Sequence, residues 1–219
     1  MGSDLAKVAV VTGGHSYDVP NFHRLFRAIG GAEAYIQHME DFASSPREVR
    51  EGYDVVLFYI MLMEGPTDEN VAWFGGKPKT ALEDLGRTKQ GIFILHHAIL
   101  AYPKWPVWAQ MVGIEDRSFD FHMDQRLHVD VADRDHPITH GLAAWDMIDE
   151  TYTMAGAGPD SHVLLTCEHP KSMKTLAWTR RHGLSRVLCF ESGHDNQTWA
   201  NAGFRQVLAR GIQWCAGRI

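Results

Sequence analysis

Histidine is the residue type that first suggests chemistry in this chain, because it occurs 13 times among 219 residues. Two histidines, His96 and His97, stand side by side directly after the apolar run "IFIL" at 92–95. His15 follows a glycine pair, and His194 follows the strand-like segment "RVLCFESG". An imidazole with an unperturbed pKa of about 6.5 can accept or donate a proton at neutral pH. These positions therefore suggest general acid–base catalysis.

Three other polar residues could support such chemistry. Asp195 directly follows His194. Glu150 and Tyr152 stand two residues apart in "DETY" at 149–152, and they share one side of the chain if it is extended there. A carboxylate and a phenol on one face could orient a hydroxylated ligand or exchange a proton with it. Solvated polar residues on an edge strand are the alternative, which the spacing alone favours.

A divalent metal ion, zinc or a similar cation, is a variant of this hypothesis. Histidines and a carboxylate gathered at one place are the ligand set of a catalytic zinc site. If a metal is bound, its ligands are expected among His15, His97, Glu150 and His194. No HExxH motif supports the site, and the three cysteines form no CxxC pair. Flavin is not expected, because "TGGHS" at 12–16 is not a GxGxxG loop.

Aromatic side chains just beyond the histidine pair are candidates for substrate binding. Tyr102, Trp105 and Trp108 could stack on the apolar face of a ligand ring. Packing of a loop helix into the core is the alternative for these three residues, and both interpretations stay open.

The elements that must position these residues follow from the apolar pattern. Strands are predicted at 7–14, 32–39, 53–61 and 91–95, alternating with helices at 20–31, 45–52 (with a capping box from Ser45 to Glu48) and 80–88. This alternation predicts an α/β fold with a parallel sheet, whose central strands are those at 7–12, 53–60 and 91–95. Strand-like segments at 125–133, 162–168, 174–180 and 185–192 follow, the last two as a hairpin, and a helix at 199–217 closes the chain. Without a linker or repeat, residues 1–219 are expected to form a single domain.

Ligand sites of open parallel sheets lie beyond the carboxyl ends of the strands. His15, the pair at 96–97 and His194 each follow a separate predicted strand, so we expect them to line one pocket. Neighbours in an extended strand face opposite sides, an alternation that relaxes where a strand turns into a loop. We therefore expect one ring of the pair to face the pocket and the other to bind a backbone carbonyl, in an order that the sequence leaves open.

Charge and hydropathy exclude several classes of partner. The net charge of −6 favours neither nucleic acid nor an anionic membrane. No apolar run approaches the roughly 20 residues that cross a bilayer, and the first residues lack the features of a secretion signal, so a cytoplasmic location is expected. A homo-oligomer is compatible with the sequence.

Eight segments together resemble the ThuA-like (trehalose utilisation) family, in the family's order and over nearly the whole chain. They are "VVTGGHSYDVPNF", "YDVVLFY", "LHHAILAYPKW", "HPITHGL", "DETY", "LAWTR", "SGHDNQTW" and "GIQWCAG". The family's motif positions correspond to His15, His96, His97, His136, Glu150, Tyr152, His194 and Asp195, although His136 alone reads as part of a turn. The resemblance implies a flavodoxin-like three-layer sandwich with a mainly parallel sheet, similar to class I glutamine amidotransferases.

The sequence departs from the amidotransferases at the turn that carries their nucleophile. The resemblance implies that this turn follows the fourth strand, where this chain has "LHHA" and no cysteine. Attack on glutamine by a thiolate is therefore not expected.

The favoured function is an enzyme that acts on a sugar or a 3-keto sugar, since the resemblance implies a role in the use of trehalose and related disaccharides. His96 or His97 would act as base with His194 as partner, and Asp195 or Glu150 would orient an imidazole. The alternative is a non-catalytic flavodoxin-like module that binds a small ligand, or a partner subunit of a sugar oxidoreductase.

Overall fold

The computed structural model describes residues 5–69 and 76–219. Its elements are β1 (Ala6–Gly13), α1 (Val19–Ile29), β2 (Ala32–His38), α2 (Met39–Ser44), α3 (Arg47–Glu51), β3 (Val55–Ile60), α4 (Pro78–Glu83), β4 (Gly91–Leu95), a 3-10 helix (His96–Leu100), α5 (Pro106–Val112), β5 (Asp120–Val131), β6 (Trp145–Thr153), β7 (His162–Thr166), β8 (Thr175–His182), β9 (Ser185–Phe190), α6 (Asn196–Ala200) and α7 (Ala202–Cys215). The alternation of strand and helix up to β4 agrees with the pattern in the sequence.

Within the described residues, nine strands form one sheet in the order β2-β1-β3-β4-β9-β8-β7-β5-β6. The first five run parallel to one another, whereas the remaining four are joined antiparallel. The neighbouring positions of β1, β3 and β4 confirm the predicted centre of the parallel part. The expectation of a mainly parallel sheet is wrong, because the sheet is mixed. The turn at Gly183 and Leu184 is too short for anything except a hairpin, since a parallel pair needs a crossover of about a dozen residues.

Successive residues of the central strands face two separate hydrophobic cores. Val8 and Val10 of β1 belong to the core that includes α1 and α7, whereas Ala9 and Val11 belong to the core that includes α2, α4 and α5. Burial on both faces explains why these strands read as near-continuous apolar runs. Helices therefore cover both faces of the sheet, which gives a three-layer α/β structure.

The predicted core is confirmed. Each of the following residues has 0% of its surface exposed: Val10, Val56, Leu57, Phe58, Ile92, Ile94 and Leu188. All seven lie on β1, β3, β4 or β9, and the candidate histidines follow the ends of β1, β4 and β9.

Helix boundaries differ from the predicted ones: α1 and α4 end earlier than expected, and the capping differs at Ser45 and at Asn201. The capping box at Ser45 does not form: the Ser45 hydroxyl donates to the carbonyl of Asp41 at the end of α2, and α3 begins after Pro46 without a side-chain cap. The predicted C-terminal helix is divided into α6 and α7 at Asn201, whose side chain caps α7. None of the described helices is long and apolar enough to span a membrane.

Strands β5 and β6 form a two-stranded ribbon that joins the rest of the sheet at the end of β5. β5 pairs with β7 at Asp130 and Val131, whereas most of the residues from Asp120 to Val129 pair with β6. The ribbon is important for the site because β6 contains the segment "DETY". The contacts described below show that it returns to the carboxyl end of β4.

Candidate functional site

A sharp turn at the end of β4 places the histidine pair. His96, the first residue after the strand, has a φ of 55°, which is uncommon for a residue other than glycine. The chain then continues as a 3-10 helix, so the strict alternation of the strand is lost. Both imidazoles are buried. Such a backbone conformation is costly and is found most often at functional sites.

The two imidazoles of the pair have different surroundings. His97 Nδ1 lies 3.0 Å from the carbonyl oxygen of Ile60, at the end of β3. His96 Nδ1 lies 2.6 Å from the carbonyl oxygen of Glu191, to which it donates. This bond leaves the lone pair of His96 Nε2 directed at other side chains. The His96 imidazole therefore points towards other polar side chains, whereas the His97 imidazole binds a backbone carbonyl of β3, the neighbouring strand in the sheet.

Four side chains from three parts of the chain meet at this point, and we call them the histidine–glutamate cluster: His96, Glu150, Tyr152 and His194. His96 Nε2 lies 3.1 Å from Glu150 Oε2, 3.2 Å from His194 Nδ1 and 3.0 Å from the Tyr152 hydroxyl. Glu150 Oε2 in turn lies 2.8 Å from the Tyr152 hydroxyl and 3.1 Å from His194 Nδ1. The alternative for "DETY", a solvated edge strand, does not hold, because Glu150 and Tyr152 are buried.

Charge in the cluster is concentrated on Glu150. Burial on its own would raise the pKa of this carboxyl, but the His194 and His96 imidazoles and the Tyr152 hydroxyl, all within hydrogen-bond distance of it, lower that pKa well below its usual range. The hydrogen bond to the Glu150 carboxylate raises the pKa of His194. Burial, together with that negative charge, raises the pKa of Tyr152 well above its usual value. The carboxylate is therefore ionised, and the phenol is a neutral donor.

His15 and His97 lie against the cluster without joining its hydrogen bonds. The ring centroid of His15 is 4.6 Å from that of His97 and 5.7 Å from that of His194. Burial lowers the pKa of His15, and nearby His194 and His96 lower it further, despite an opposing hydrogen bond to Ser16. Burial also lowers the pKa of His97 far below its usual value. Both imidazoles are therefore neutral at neutral pH.

A buried carboxylate positions His194 through its backbone. The Asp149 side chain accepts the backbone N–H groups of Gly193 at 2.8 Å and of His194 at 3.0 Å. The Tyr59 hydroxyl donates to the carbonyls of the same two residues, at 3.1 and 3.0 Å. Sequence reasoning missed both Asp149 and Tyr59. A signal for Asp149 was present. Asp149 and Glu150 are adjacent in a strand and face opposite sides, so a strand that is covered on both sides buries both carboxyl groups.

Glu191 is a second buried carboxyl that sequence reasoning missed. Its carbonyl accepts from His96, and its side chain accepts the backbone N–H of Tyr152 at 3.2 Å. Burial raises the pKa of Glu191 well above its usual value, and the charge of Asp149 adds to the shift. The signal would have been an acidic residue that directly continues an apolar strand.

Asp195 has a structural role beside the expected one. Its side chain accepts the backbone N–H of Gln197 at 2.8 Å and so caps α6, and its charge helps to raise the pKa of His194. A carboxylate just before a helix is the preferred acceptor for the free N–H groups of the first turn. The carboxylates that hold His194 are Glu150 and Asp149.

The aromatic residues expected to bind substrate are mostly part of the core. Tyr102 and Trp108 are buried, and the Trp108 indole donates to the carbonyl of Ala98 at 2.9 Å. Trp105 is partly exposed and helps to line a cavity of about 750 Å³ that contains no residue of the histidine–glutamate cluster. The rings of Tyr102 and Trp108 are thus covered by protein, which agrees with the alternative of core packing.

The set of atoms that could hold a metal ion differs from the expected set. Among the described residues, His96, Glu150 and His194 form a group whose ligand atoms lie within 4.8 Å of one another. The expected ligands Glu150 and His194 belong to this set, whereas His15 and His97 do not. The turn at the end of β4 directs His96 into the cluster and holds the ring of His97 against Ile60 instead.

Access to the cluster is from the side of His194. The side chain of His194 is 15% exposed and that of Glu150 is 9% exposed, whereas that of His96 is 0% exposed. A ligand would therefore meet His194 and the partly buried His15 before the inner residues. The arrangement offers an ion-paired imidazole beside a neutral one, with a carboxylate and a phenol behind them.

Comparisons with solved structures agree with this architecture. A ThuA-like protein from Parabacteroides merdae matches with a TM-score of 0.75 and 19% identity over 98% of this chain and 91% of that chain. A ThuA-like protein from Bacteroides uniformis matches with a TM-score of 0.70 and 16% identity, over 98% and 93%. A protein described as part of a GMP synthase, from Thermoplasma acidophilum, matches with a TM-score of 0.56 and 12% identity, over 97% and 95%. At these identities the likeness shows the shared fold.

Sequence comparison identifies the family. No curated protein matches the chain significantly. The model of the ThuA family, described as "Trehalose utilisation", matches residues 7–215. Because that match spans nearly the whole sequence, the protein belongs to the ThuA (trehalose utilisation) family.

Proposed function

We propose that this protein is an enzyme that acts on a sugar or a 3-keto sugar by acid–base chemistry at the histidine–glutamate cluster. Family membership indicates a role related to trehalose utilisation. The observation that carries the proposal is a pair of imidazoles, His15 and His194, whose pKa values are shifted in opposite directions while their ring centroids lie 5.7 Å apart. Environments that push two pKa values apart are what assign an acid and a base in an active site.

The direction of each shift suggests the role of each imidazole. The pKa of His194 is raised because Glu150 stabilises the imidazolium, and in that protonated form His194 can donate a proton as general acid. His15 is neutral and can accept a proton as general base. A proton α to a ketone and the oxygen of a glycosidic bond are suitable targets for such a pair. This assignment moves the base from the pair at 96–97, favoured from the sequence, to His15.

The remaining cluster residues would act through His194. Glu150 supplies the charge, and the Tyr152 hydroxyl, 2.8 Å from Glu150 Oε2, directs that carboxylate. His96 is fully covered, so in this proposal it organises the cluster and does not touch the sugar. We propose a small sugar as the ligand, and the net charge of −6 offers no reason to propose nucleic acid.

Glutamine amidotransferase chemistry is not part of the proposal, although the fold resembles that of the GMP synthase protein. The turn after β4 carries His96 and not a cysteine. Cys167, Cys189 and Cys215 are all buried, and burial raises the pKa of each thiol. A buried thiol with a raised pKa is not a nucleophile.

Product formation from trehalose and from its 3-keto derivative, followed by NMR, tests the proposal. The wild type and the exposed-site control His140→Ala should convert at least one of them at similar rates. His15→Ala and His194→Ala should each lower turnover by about 100-fold or more, the usual contribution of a general acid or base. Binding of the sugar without turnover would contradict the proposal and favour the alternative of a binding module or partner subunit. Turnover unaffected in both variants would place the chemistry elsewhere.

A further inference from the structure

We propose that His96, Glu150 and His194 form a binding site for one divalent transition-metal ion of the zinc type. The inference rests on the site of the proposed function and deepens it, but metal binding can be measured without any substrate. Three side-chain atoms carry the proposal: His96 Nε2, His194 Nδ1 and Glu150 Oε2. Imidazole nitrogens with one carboxylate oxygen are a ligand set typical of catalytic zinc.

The three atoms form a nearly equilateral triangle. Its sides are 3.1 Å from His96 Nε2 to Glu150 Oε2, 3.2 Å from His96 Nε2 to His194 Nδ1, and 3.1 Å from His194 Nδ1 to Glu150 Oε2. Ligand atoms bound tetrahedrally at about 2.0–2.1 Å from zinc lie about 3.3 Å from one another. An ion could therefore bind with shifts of only a few tenths of an ångström in the ligand atoms.

Hydrogen bonding alone leaves this triangle incompletely satisfied. His96 uses its Nδ1 hydrogen on the carbonyl of Glu191, so in the neutral ring Nε2 is an acceptor. Glu150 Oε2 is also an acceptor, which leaves no hydrogen in the 3.1 Å contact between these two atoms. The hydrogen on His194 Nδ1 can point at only one of them. A cation at the centre would instead be bound by all three lone pairs.

The surrounding residues hold the ligands in the required orientation. Metal-bound histidines commonly donate the N–H of their other ring nitrogen to a carbonyl or carboxylate, as His96 Nδ1 does to the Glu191 carbonyl at 2.6 Å. The Tyr152 hydroxyl donates to Glu150 Oε2, and Asp149 holds the backbone of His194. The triangle is therefore built on fixed supports from β6 and from the turns after β4 and β9.

Three protein ligands would leave a further coordination position for water or for an oxygen of a substrate. An ion at this position would polarise a carbonyl or acidify a bound water, and that water would replace His194 as the acid. His15 is outside the triangle and keeps its proposed role as base. The base is thus the same with a proton or with a metal in the cluster, whereas the acid is His194 in the first case and a metal-bound water in the second.

Metal binding to the full-length protein tests the inference directly. The protein is stripped with a chelator, titrated with Zn²⁺ by calorimetry, and titrated separately with Co²⁺, whose visible absorption reports its coordination. We expect one ion per chain for both metals, and a Co²⁺ spectrum of low coordination number with nitrogen and oxygen ligands. Failure of both ions to bind stoichiometrically would overturn the inference.

Variants locate the ion. Glu150→Gln and His194→Gln should each weaken binding by more than about 100-fold, since loss of supporting residues alone costs 10–100-fold. His15→Gln is the matched control: it removes an imidazole that adjoins His194 but is outside the triangle, and binding should change less than about threefold. His96→Gln is less informative because the residue is fully buried, so the two other ligand variants decide the result, with circular dichroism as the check on folding.

Two outcomes would overturn the assignment of ligands. Stoichiometric metal binding in a Glu150→Gln, His194→Gln double variant would place the ion elsewhere. A loss of metal affinity in His15→Gln as large as in the two ligand variants would make His15 a ligand. The inference and the proposed function can fail separately. Sugar turnover by a protein that binds no metal would refute only the inference, whereas metal binding without turnover of any sugar would refute only the function.

Discussion

His96 Nε2 and Glu150 Oε2 lie 3.1 Å apart although 54 positions separate the two residues in the chain. Four strands, β9, β8, β7 and β5, stand between β4 and β6 in the sheet order. The contact exists because β6, which pairs with β5, brings Glu150 to the carboxyl end of β4. The mixed part of the sheet therefore completes a site that the parallel part begins.

The position of Asp149 should make it important for stability. Its carboxylate is buried and accepts the backbone N–H groups of Gly193 and His194. Asp149→Ala leaves both donors without a partner, so we expect the free energy of unfolding to fall by about 3 kcal/mol. Denaturant unfolding measures the change. A loss below about 1 kcal/mol would mean that the loop after β9 does not depend on this carboxylate.

Leu57 tests the placement of β3. Its side chain is fully buried at the centre of the sheet, so Leu57→Ala should lower the free energy of unfolding by roughly 2–5 kcal/mol. Leu184 at the hairpin turn is 57% exposed, and Leu184→Ala should change the free energy of unfolding by less than about 0.5 kcal/mol. Similar losses in both variants would contradict the assignment of β3 to the core.

The ion pair of Glu150 and His194 should affect stability in a defined pH window, in protein freed of metal. The folded-state pKa of Glu150 lies below the ordinary value of 4.5, so its stabilising contribution is present above pH 4.5 and is lost as the pH falls towards the folded pKa. The pKa of His194 is raised, so its contribution is present below pH 6.5 and is lost as the pH rises through the folded pKa. The stability difference between the wild type and Glu150→Gln should therefore be largest between pH 4.5 and 6.5.

Denaturant unfolding of the wild type and of Glu150→Gln, measured below, within and above this pH window, checks the prediction. The difference in the free energy of unfolding should decrease on both sides of the window. A difference that stays constant from acid to alkaline pH would show that Glu150 and His194 do not share a charge-dependent interaction. His128→Ala serves as a comparison, because it removes an exposed ion pair between His128 on β5 and Asp146, outside the histidine–glutamate cluster.

Much of the parallel half of the fold could be predicted from local pattern. The apolar runs of β1, β3 and β4 are long enough to indicate buried strands, and their order follows from the alternation with helices. The rule that parallel strands present their carboxyl ends at one edge also explains why His15, His96 and His194 meet. These predictions needed no knowledge of contacts between distant segments.

The rest of the site depends on such contacts and was not predictable. Nothing in "DETY" indicates that β6 returns to β4, because local spacing contains no information on which distant segment covers a strand. Asp149 and Tyr59 act on backbone groups of the loop after β9, an interaction that leaves no pattern in the sequence. Asp195 looked catalytic because it adjoins His194, but its position before α6 makes it a helix cap.

Exchange of a carbon-bound proton in D₂O tests the central claim, acid–base chemistry by His15 and His194, most directly. A 3-keto derivative of trehalose is incubated with the protein, and the loss of the NMR signal of the proton α to the ketone is compared with buffer alone. We predict exchange or product formation well above the buffer rate with the wild type and with His140→Ala, and a rate reduced by about 100-fold or more with His15→Ala and with His194→Ala. Exchange and product formation both at the buffer rate with the wild type, under conditions in which the sugar is bound, would contradict the claim.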